Sequence, residues 1–306
     1  MLKNTALNFS NNTYNYKKYK NKDEIKNIDN GNSLDINIEQ IYLWLLFLKD
    51  MNYKRLLDFL KLFKSEQQLY QISKDKILFY NILLNNSFFI PYSLFNDITN
   101  LNLKQKSQKI YKFLKFNKYQ IIYINSKNYP NVLNRISDPP IAICYNDSKI
   151  IDILNSNNLC CIINSNKSNY SQKINTDIRK CISKNGYHYI DLMLNKIDNI
   201  VAQNINLNII SSEDNNTQIS KIYVANINIS EFLIVLCKFL IVIESGYSLY
   251  NLSLVDIALE KGLDIISFPA GIYNINFKLN NWLISQGAMC VNCIKEFNNY
   301  ILEKNI

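Results

Sequence analysis

The chain has 306 residues, a length that fits one large domain or, more commonly, two. Its hydrophobic content of 48%, with 21 Tyr and 15 Phe, excludes a disordered protein, because such chains have too few apolar side chains to form a core. No apolar run reaches the ~20 residues that a membrane-spanning helix needs, and the longest candidate, residues 232–243, contains Lys238.

The net charge of +9 permits a polyanionic partner without establishing one. Roughly one residue in six is Asn, and Ile, Lys and Tyr are abundant, whereas the chain has only 6 Gly, 5 Pro and three Arg. This bias is typical of a genome with few G/C base pairs, so much of the Lys excess can be mutational drift. The charge alone therefore favours nucleic acid only weakly.

The cysteine and histidine content limits the chemistry. The seven cysteines are scattered, and the N-terminal segment lacks the apolar core of a signal peptide, which predicts a reducing, cytoplasmic location. Cys290 and Cys293 have the spacing of a zinc or redox pair, but a tetrahedral site needs two more ligands and the only histidine, His188, is distant in sequence. We therefore expect no metal and no cofactor.

Apolar periodicity divides the chain into three parts. Residues 1–36 are polar and non-periodic, which predicts a disordered arm. Residues 37–116 carry apolar side chains at helical spacing, for example Ile41, Trp44 and Leu48, and predict a small domain of four or five short helices. The remaining residues, 117–306, have a different period.

Short runs of β-forming residues characterise this third part, and helical stretches separate several of them. The runs are 120–124, 141–145, 159–163, 187–193, 207–210, 240–243 and 264–268, and the helical stretches are 171–184, 251–261 and 279–286. Apolar strands that alternate with helices indicate an α/β fold with a parallel sheet covered on both faces. Ligands of such sheets bind at the carboxyl ends of the strands.

Three stretches have a specific pattern. They are residues 129–140 (YPNVLNRISDPP), which precede a strand, 257–271 (IALEKGLDIISFPAG) and 280–291 (NNWLISQGAMCV). Together they resemble the DprA/Smf family, the DNA-processing proteins of bacterial transformation. By this resemblance, 37–116 corresponds to a small helical domain of the SAM or helix-hairpin kind and 117–306 to the family's Rossmann-like domain. Since the chain ends soon after the last helix–strand unit, we expect no C-terminal winged helix.

The ligand-binding motifs of the family are degenerate here. Where the family has a Gly-Ser-Arg turn, residues 164–166 are Asn-Ser-Asn, followed by Lys167. Its Arg-Asn-Arg box corresponds to residues 229–231 (Ile-Ser-Glu), and its Ser-Gly-Ser-Leu turn to residues 249–252 (Leu-Tyr-Asn-Leu). The chain resembles a divergent member in which the ligand site has changed most.

The resemblance implies a function without catalysis. Family members bind single-stranded DNA, form dimers and load the recombinase RecA, so we expect a cytoplasmic homodimer that protects incoming single strands during transformation. Physically, a helix N-terminus after a strand offers N–H donors to phosphates, and cationic side chains neutralise others. The candidate nucleic-acid-binding residues are Asn164, Ser165, Asn166, Lys167, Lys173 and Arg179.

Each candidate has a simpler interpretation. Ser165 fits a turn or helix cap as well as a phosphate donor, and the spacing of Lys173 and Arg179 does not keep both on one helix face. Tyr170 can stack on a base or pack in the core. Glu244, which ends a buried strand, can contact a ribose or cap the following helix.

Two other functions remain open. One is a Rossmann-like protein that binds or modifies a nucleotide, although the chain has no G-x-G-x-x-G motif, no Walker lysine and no paired carboxylates at motif spacing. The other is a degenerate family member that has lost DNA binding and keeps a partner or dimer surface. The absence of a catalytic set favours a binding protein, and we expect no catalytic residue.

Overall fold

The computed structural model describes residues 36–165, 168–191, 205–213, 216–224 and 227–304. Contacts within the chain separate two compact units, with the boundary between Lys112 and Phe113. The predicted arm, residues 1–36, lies outside the described residues except for its last position. None of the helices in the described ranges is long and apolar enough to cross a membrane.

The first unit consists of short helices, six between residues 36 and 116, where the sequence predicted four or five. They are α1 (Ile38–Leu46), α2 (Tyr53–Leu62), α3 (Glu66–Ile72), α4 (Lys76–Asn85), α5 (Tyr92–Ile98) and α6 (Leu101–Phe116), which continues past the boundary. The side chains of Asn37, Asn52, Ser65 and Asp75 accept N–H bonds at the starts of α1 to α4. These caps satisfy amide groups that a helix start leaves unpaired.

Aromatic rings occupy the centre of the helical unit. The ring of Phe79 stacks with those of Phe59 and Phe63 at centroid separations of 6.4 and 5.7 Å, and all three side chains are buried. Trp44 and Tyr70 meet edge to face at 5.0 Å. Because isolated helices of this length are marginal in water, this aromatic packing stabilises the unit.

The second unit alternates strands with helices. Its strands are β1 (Gln120–Tyr123), β2 (Ala142–Tyr145), β3 (Leu159–Asn164), β4 (His188–Asp191), β5 (Ile205–Glu213), β6 (Asn216–Val224), β7 (Phe239–Glu244), β8 (Asp264–Ser267) and β9 (Met289–Cys290). Its helices are α7 (Lys149–Asn155), α8 (Asn169–Lys184), α9 (Ile229–Leu236), α10 (Leu249–Glu260), α11 (Lys278–Ser285) and α12 (Ile294–Lys304). Short 3-10 helices cover Asn131–Arg135 and Ile275–Phe277.

The strands form one sheet in the order β1-β2-β6-β5-β4-β3-β7-β8-β9. β4, β3, β7, β8 and β9 are parallel and are flanked by helices, which confirms the predicted α/β, Rossmann-like fold. The other side of the sheet differs from the prediction of a purely parallel sheet, because β1, β2, β6 and β5 pair antiparallel. β5 and β6 form a hairpin, which needs only a short turn, whereas parallel strands need a crossover.

The central strands β3 and β7 are buried on both faces. Cys161 and Leu240 belong to one apolar cluster, and their neighbours Cys160 and Ile241 belong to the cluster on the opposite face. Helix α9 packs on the first face beside α10, and α8 packs on the second face beside α12. Because both faces are covered, the edge where the strands end is the place where polar groups can meet a ligand.

A lysine is buried inside the helical unit. Lys104 on α6 is 3% exposed, and its ammonium donates to the carbonyl of Tyr70 (3.2 Å) and to Ser73 Oγ (2.7 Å). The ammonium also lies 5.1 Å from the centre of the Trp44 ring. Burial, with a smaller contribution from the charge of Lys74, lowers the pKa of Lys104 to about 7.

This burial predicts a pH-dependent stability. Between pH 7 and the ordinary lysine pKa of about 10.4, the unfolded state holds a proton that folded Lys104 has released, so raising the pH favours the folded state. We expect the free energy of unfolding to rise by about 2 kcal/mol between pH 7 and 9 through this residue. Lys104→Met should remove this dependence, as measured by urea denaturation followed by Trp44 fluorescence in a Trp282→Phe background.

The matched control is Lys106→Met, because Lys106 lies on the same helix with an exposed side chain. It should keep the pH dependence of the unmodified protein. If the free energy of unfolding changed with pH equally for Lys104→Met and the unmodified protein, the pH dependence would not come from Lys104.

Candidate functional site

The candidate site lies where β3, β7 and β8 end side by side. These strands are adjacent and parallel, so the segments that follow them meet at one edge of the sheet. The chain passes from β3 through α8 to β4 on one side, and from β7 through α10 to β8 on the other. The crevice between β3 and β7 is therefore the switch point of the topology, where ligands of open α/β sheets bind.

The N-terminus of α8 faces this edge. The helix begins at Asn169, two residues before the predicted start, and Ser168 caps it by accepting the N–H of Ser171 (3.2 Å). Ser165, proposed from sequence as a turn or cap residue or a phosphate donor, does not cap the helix. The N–H groups of Asn169 and Tyr170 donate to no acceptor in the described part of the chain. They remain available to a ligand at the positive end of the helix.

A buried carboxylate joins this helix to the neighbouring strand. Glu244 ends β7 with its side chain fully buried; its Oε2 accepts the N–H of Ser168 (2.9 Å), and its carbonyl accepts the N–H of Ser165 (2.8 Å). Glu244 therefore supports α8, which precedes it, and does not cap the helix that follows it. Burial alone would raise the pKa of Glu244, but the polar groups of Ser171, Ser168 and Asn276 outweigh burial and lower it. The carboxylate is ionised at neutral pH.

Side-chain amides hold the neighbouring loops. The Nδ2 of Asn251, in the first turn of α10, donates to Ser165 Oγ (3.0 Å) and to Ser245 Oγ (2.7 Å). Asn280, fully buried in α11, accepts the N–H of Ser245 (2.9 Å) and donates to the carbonyls of Val242 (2.8 Å) and Ile243 (3.2 Å). These bonds fix the segment after β7 against both α10 and α11.

The structure brings some of the sequence-predicted residues to the crevice and separates another. Asn164 and Ser165 lie at the end of β3, and Lys173 is exposed on the second turn of α8. Asn166 and Lys167 lie outside the described residues. Arg179 lies about 15 Å along α8 from the start of the helix at Asn169. There its guanidinium lies over the Tyr189 ring, 5.0 Å from the ring centre.

Sequence reasoning missed Ser168, Asn251, Asn280 and the surface-exposed aromatic residues of the loops. The exposed fractions of Tyr247 and Tyr273, which follow β7 and β8, are 53% and 93%. Asparagine inside a helical stretch is a signal of a specific role, because it is a poor helix former. In this chain the high Asn content hides that signal.

Glu231, in the segment where the sequence resemblance implies an Arg-Asn-Arg box, has a structural role. The carboxylate of Glu231 accepts the N–H (3.0 Å) and the hydroxyl (2.6 Å) of Ser137 and pairs with Lys261 Nζ (3.0 Å). Burial alone would raise the pKa of Glu231, but these partners outweigh burial and lower it. The Glu231 side chain on α9 therefore joins the loop before β2 to the end of α10.

The described residues contain no group of three or more His, Cys, Asp and Glu side chains that could hold a metal ion. Cys290 and Cys293, the pair with zinc-like spacing, are free thiols.

Comparison with known proteins found distant likenesses only. No family model matches the chain, and no curated protein matches it. A crystal structure of DNA processing protein A (DprA) from Streptococcus pneumoniae is 16% identical, with a TM-score of 0.44 over 75% of this chain and 95% of that chain. DNA processing protein A from Helicobacter pylori, described for its single-stranded DNA binding mode, is 17% identical, with a TM-score of 0.42 over 61% of this chain and 97% of that chain.

The amide network predicts a large effect of one substitution. Asn280→Ala leaves the N–H of Ser245 and the carbonyls of Val242 and Ile243 without their side-chain partner, so we expect the free energy of unfolding to fall by about 3 kcal/mol. Urea denaturation measures this change. Ser285→Ala, an exposed position on the same helix, is the control and should cost less than about 0.5 kcal/mol. Equal effects of the two substitutions would show that the network does not hold the loop.

Proposed function

We propose that this protein binds single-stranded DNA in the manner of the DprA type and that the strand lies along the carboxyl edge of β3, β7 and β8. Two kinds of evidence support the proposal. The stretches 129–140, 257–271 and 280–291 resemble the family in sequence. Independently, the edge of the sheet carries the groups that a single strand needs, namely exposed aromatic rings, cations and unpaired N–H donors.

The aromatic surface is the observation that carries the proposal. Tyr170, Tyr247 and Tyr273 follow the three adjacent strands and are 54%, 53% and 93% exposed. Tyr170 contacts Phe277 at a centroid separation of 5.8 Å, and Tyr247 meets Trp282 edge-on at 6.5 Å, so a neighbouring ring restrains each tyrosine while about half of its side chain stays exposed. Stacked bases gain about 1–3 kcal/mol each on such rings, whatever their sequence.

Cations supply the contacts to the strand's phosphates. Lys173 on α8 and Lys278 at the start of α11 are exposed near the same edge. The ionised carboxylate of Glu244 repels a phosphate directly at the helix cap. We therefore place the phosphates at the rim, near the lysines, and the bases over the tyrosines.

A binding role fits this edge better than catalysis. A general acid or base works best with a pKa near the operating pH, whereas the pKa of the buried Glu244 carboxyl is lowered. A mononucleotide-binding protein is the second candidate, and the switch-point crevice between β3 and β7 favours it.

We extend the proposal, through the family resemblance, to a cytoplasmic homodimer that loads a RecA-type recombinase and protects single strands during transformation. Light scattering at tens of micromolar tests the dimer, and a mass near the 35.9 kDa of one chain would contradict it.

The binding experiment uses a fluorescent 30-mer, single- or double-stranded, over a series of salt concentrations. We expect the single strand to bind more tightly than the duplex, and Tyr247→Ala and Tyr273→Ala each to weaken binding about fivefold or more. Lys278→Glu should weaken binding and lower the slope of log K against log salt by about 0.7 for one lost phosphate contact. Tyr92→Ala is the aromatic control, because Tyr92 is 55% exposed in the helical unit.

Three results would contradict the proposal. A thermal shift of several degrees with ATP, AMP or NAD, without oligonucleotide binding, would favour the mononucleotide candidate. Loss of binding on charge reversal at Lys17 and Lys18, with Lys278→Glu unchanged, would show that the charge of the arm attracts DNA without a specific site. Failure to bind any strand or nucleotide would favour a degenerate family member.

A further inference from the structure

Two hydrogen-bond acceptors at the switch point have no donor. Asn164 and Glu244 are register partners at the ends of β3 and β7, so their side chains start from adjacent strand ends. The Oδ1 of Asn164 and the Oε1 of Glu244 are buried, and neither accepts a hydrogen bond from the described part of the chain. An unpaired buried acceptor costs about 1–3 kcal/mol, and more when it is charged, so this pair of atoms requires a physical explanation.

The donors around these atoms are used elsewhere. The N–H of Ser168 donates to the other oxygen of Glu244 (2.9 Å), and the hydroxyl of Ser171 donates to the carbonyl of Ser168 (3.0 Å). The Nδ2 of Asn251 donates to two serine hydroxyl oxygens. The side chain of Asn276 lies near enough to lower the pKa of Glu244, yet it makes no hydrogen bond to Oε1.

A ligand that satisfies this crevice must therefore bring donors. Phosphate oxygens only accept hydrogen bonds at neutral pH and carry the same charge as Glu244, so a phosphate fits poorly. Besides the ring N–H of uracil, thymine and guanine, a nucleotide has two kinds of strong donor, the sugar hydroxyl and the exocyclic amino group of a base. Carboxylates accept hydrogen bonds from both kinds of donor.

We propose that the crevice between Asn164 and Glu244 binds a hydrogen-bond-donating group of a nucleotide, a sugar hydroxyl or a base amino group, so that the protein discriminates among single strands by their donors. This inference rests on the proposed function. It assigns to Glu244 and Asn164 a role in specificity, while the tyrosines and lysines at the rim supply affinity that is independent of sequence.

The test compares fluorescent 20-mers that differ in their donors. Oligo-dU, whose base donates only through its ring N–H, is the reference; oligo-rU adds the 2′-hydroxyl, and oligo-dC replaces the 4-carbonyl by an amino group and the ring N–H by an acceptor. We expect rU or dC to bind at least tenfold more tightly than dU, the fold-change that a hydrogen bond to a charged group gives. The strand that gains affinity identifies the donor as hydroxyl or amino.

Glu244→Gln tests whether the Glu244 carboxylate accepts the ligand's donor. The amide can keep an oxygen for the N–H of Ser168, but it then presents an NH₂ group where the ligand's donor should lie. The preference for rU or dC over dU should therefore fall to within about twofold. Glu231→Gln is the matched control, because Glu231 is also a buried carboxylate of this unit and its oxygens already have partners. It should keep the preference. Asn164→Leu provides a second variant if Glu244→Gln fails to fold, and it should reduce the preference at least threefold.

The outcomes separate this inference from the proposed function. Equal binding of dU, rU and dC would overturn the proposal that the crevice accepts a donor from the strand, and so would a preference that survives both Glu244→Gln and Asn164→Leu. Either result would leave the proposed DNA binding intact. Failure of every strand to bind would overturn the proposed function, and the inference would fall with it.

Discussion

The buried carboxylate of Glu244 determines the geometry of the candidate site. It ends β7, whose side chains are all buried, and accepts the N–H of Ser168, so that it fixes the start of α8 against β7. An ionised carboxylate is favourable at the positive end of a helix, and the lowered pKa of Glu244 agrees with that placement. The same charge repels phosphate from the cap. A single bond therefore joins the start of α8 to the end of β7 and places a negative charge at the helix cap.

The positions that resemble the DprA/Smf motifs differ from them in a consistent way. Where the resemblance implies glycines and arginines, this chain has asparagines, serines and a glutamate, and Ser165, Glu231 and Asn251 among them form side-chain hydrogen bonds. Asn251 holds the segment after β7 through a hydrogen bond to Ser245 Oγ (2.7 Å), and Glu231 joins the loop before β2 to α9 and α10. Under the proposed function, the absence of arginines at these positions leaves fewer bidentate phosphate contacts, and the exposed tyrosines supply most of the affinity.

Much of the fold was predictable, because continuous apolar runs such as residues 159–163 and 240–243 identify buried strands without tertiary information. The strand β6 was missed because its sequence, NTQISKIYV, is largely polar in its first half, and β9 because it has two residues. The site was less predictable. Ser165, which the sequence offered as a cap among other roles, is not the N-cap, which lies at Ser168, and Arg179 is almost three turns from the helix start. Which asparagines are buried depends on long-range packing that no local pattern records.

Photo-crosslinking tests the central claim most directly, since it locates the strand on the protein. A single-stranded oligonucleotide that carries 5-iodouridine is irradiated in the complex, and the crosslinked peptides are identified by mass spectrometry. Binding along the carboxyl edge of β3, β7 and β8 predicts crosslinks at Tyr170, Tyr247 or Tyr273. Crosslinks confined to the helical unit or to residues 1–36, with none in these three loops, would contradict the account.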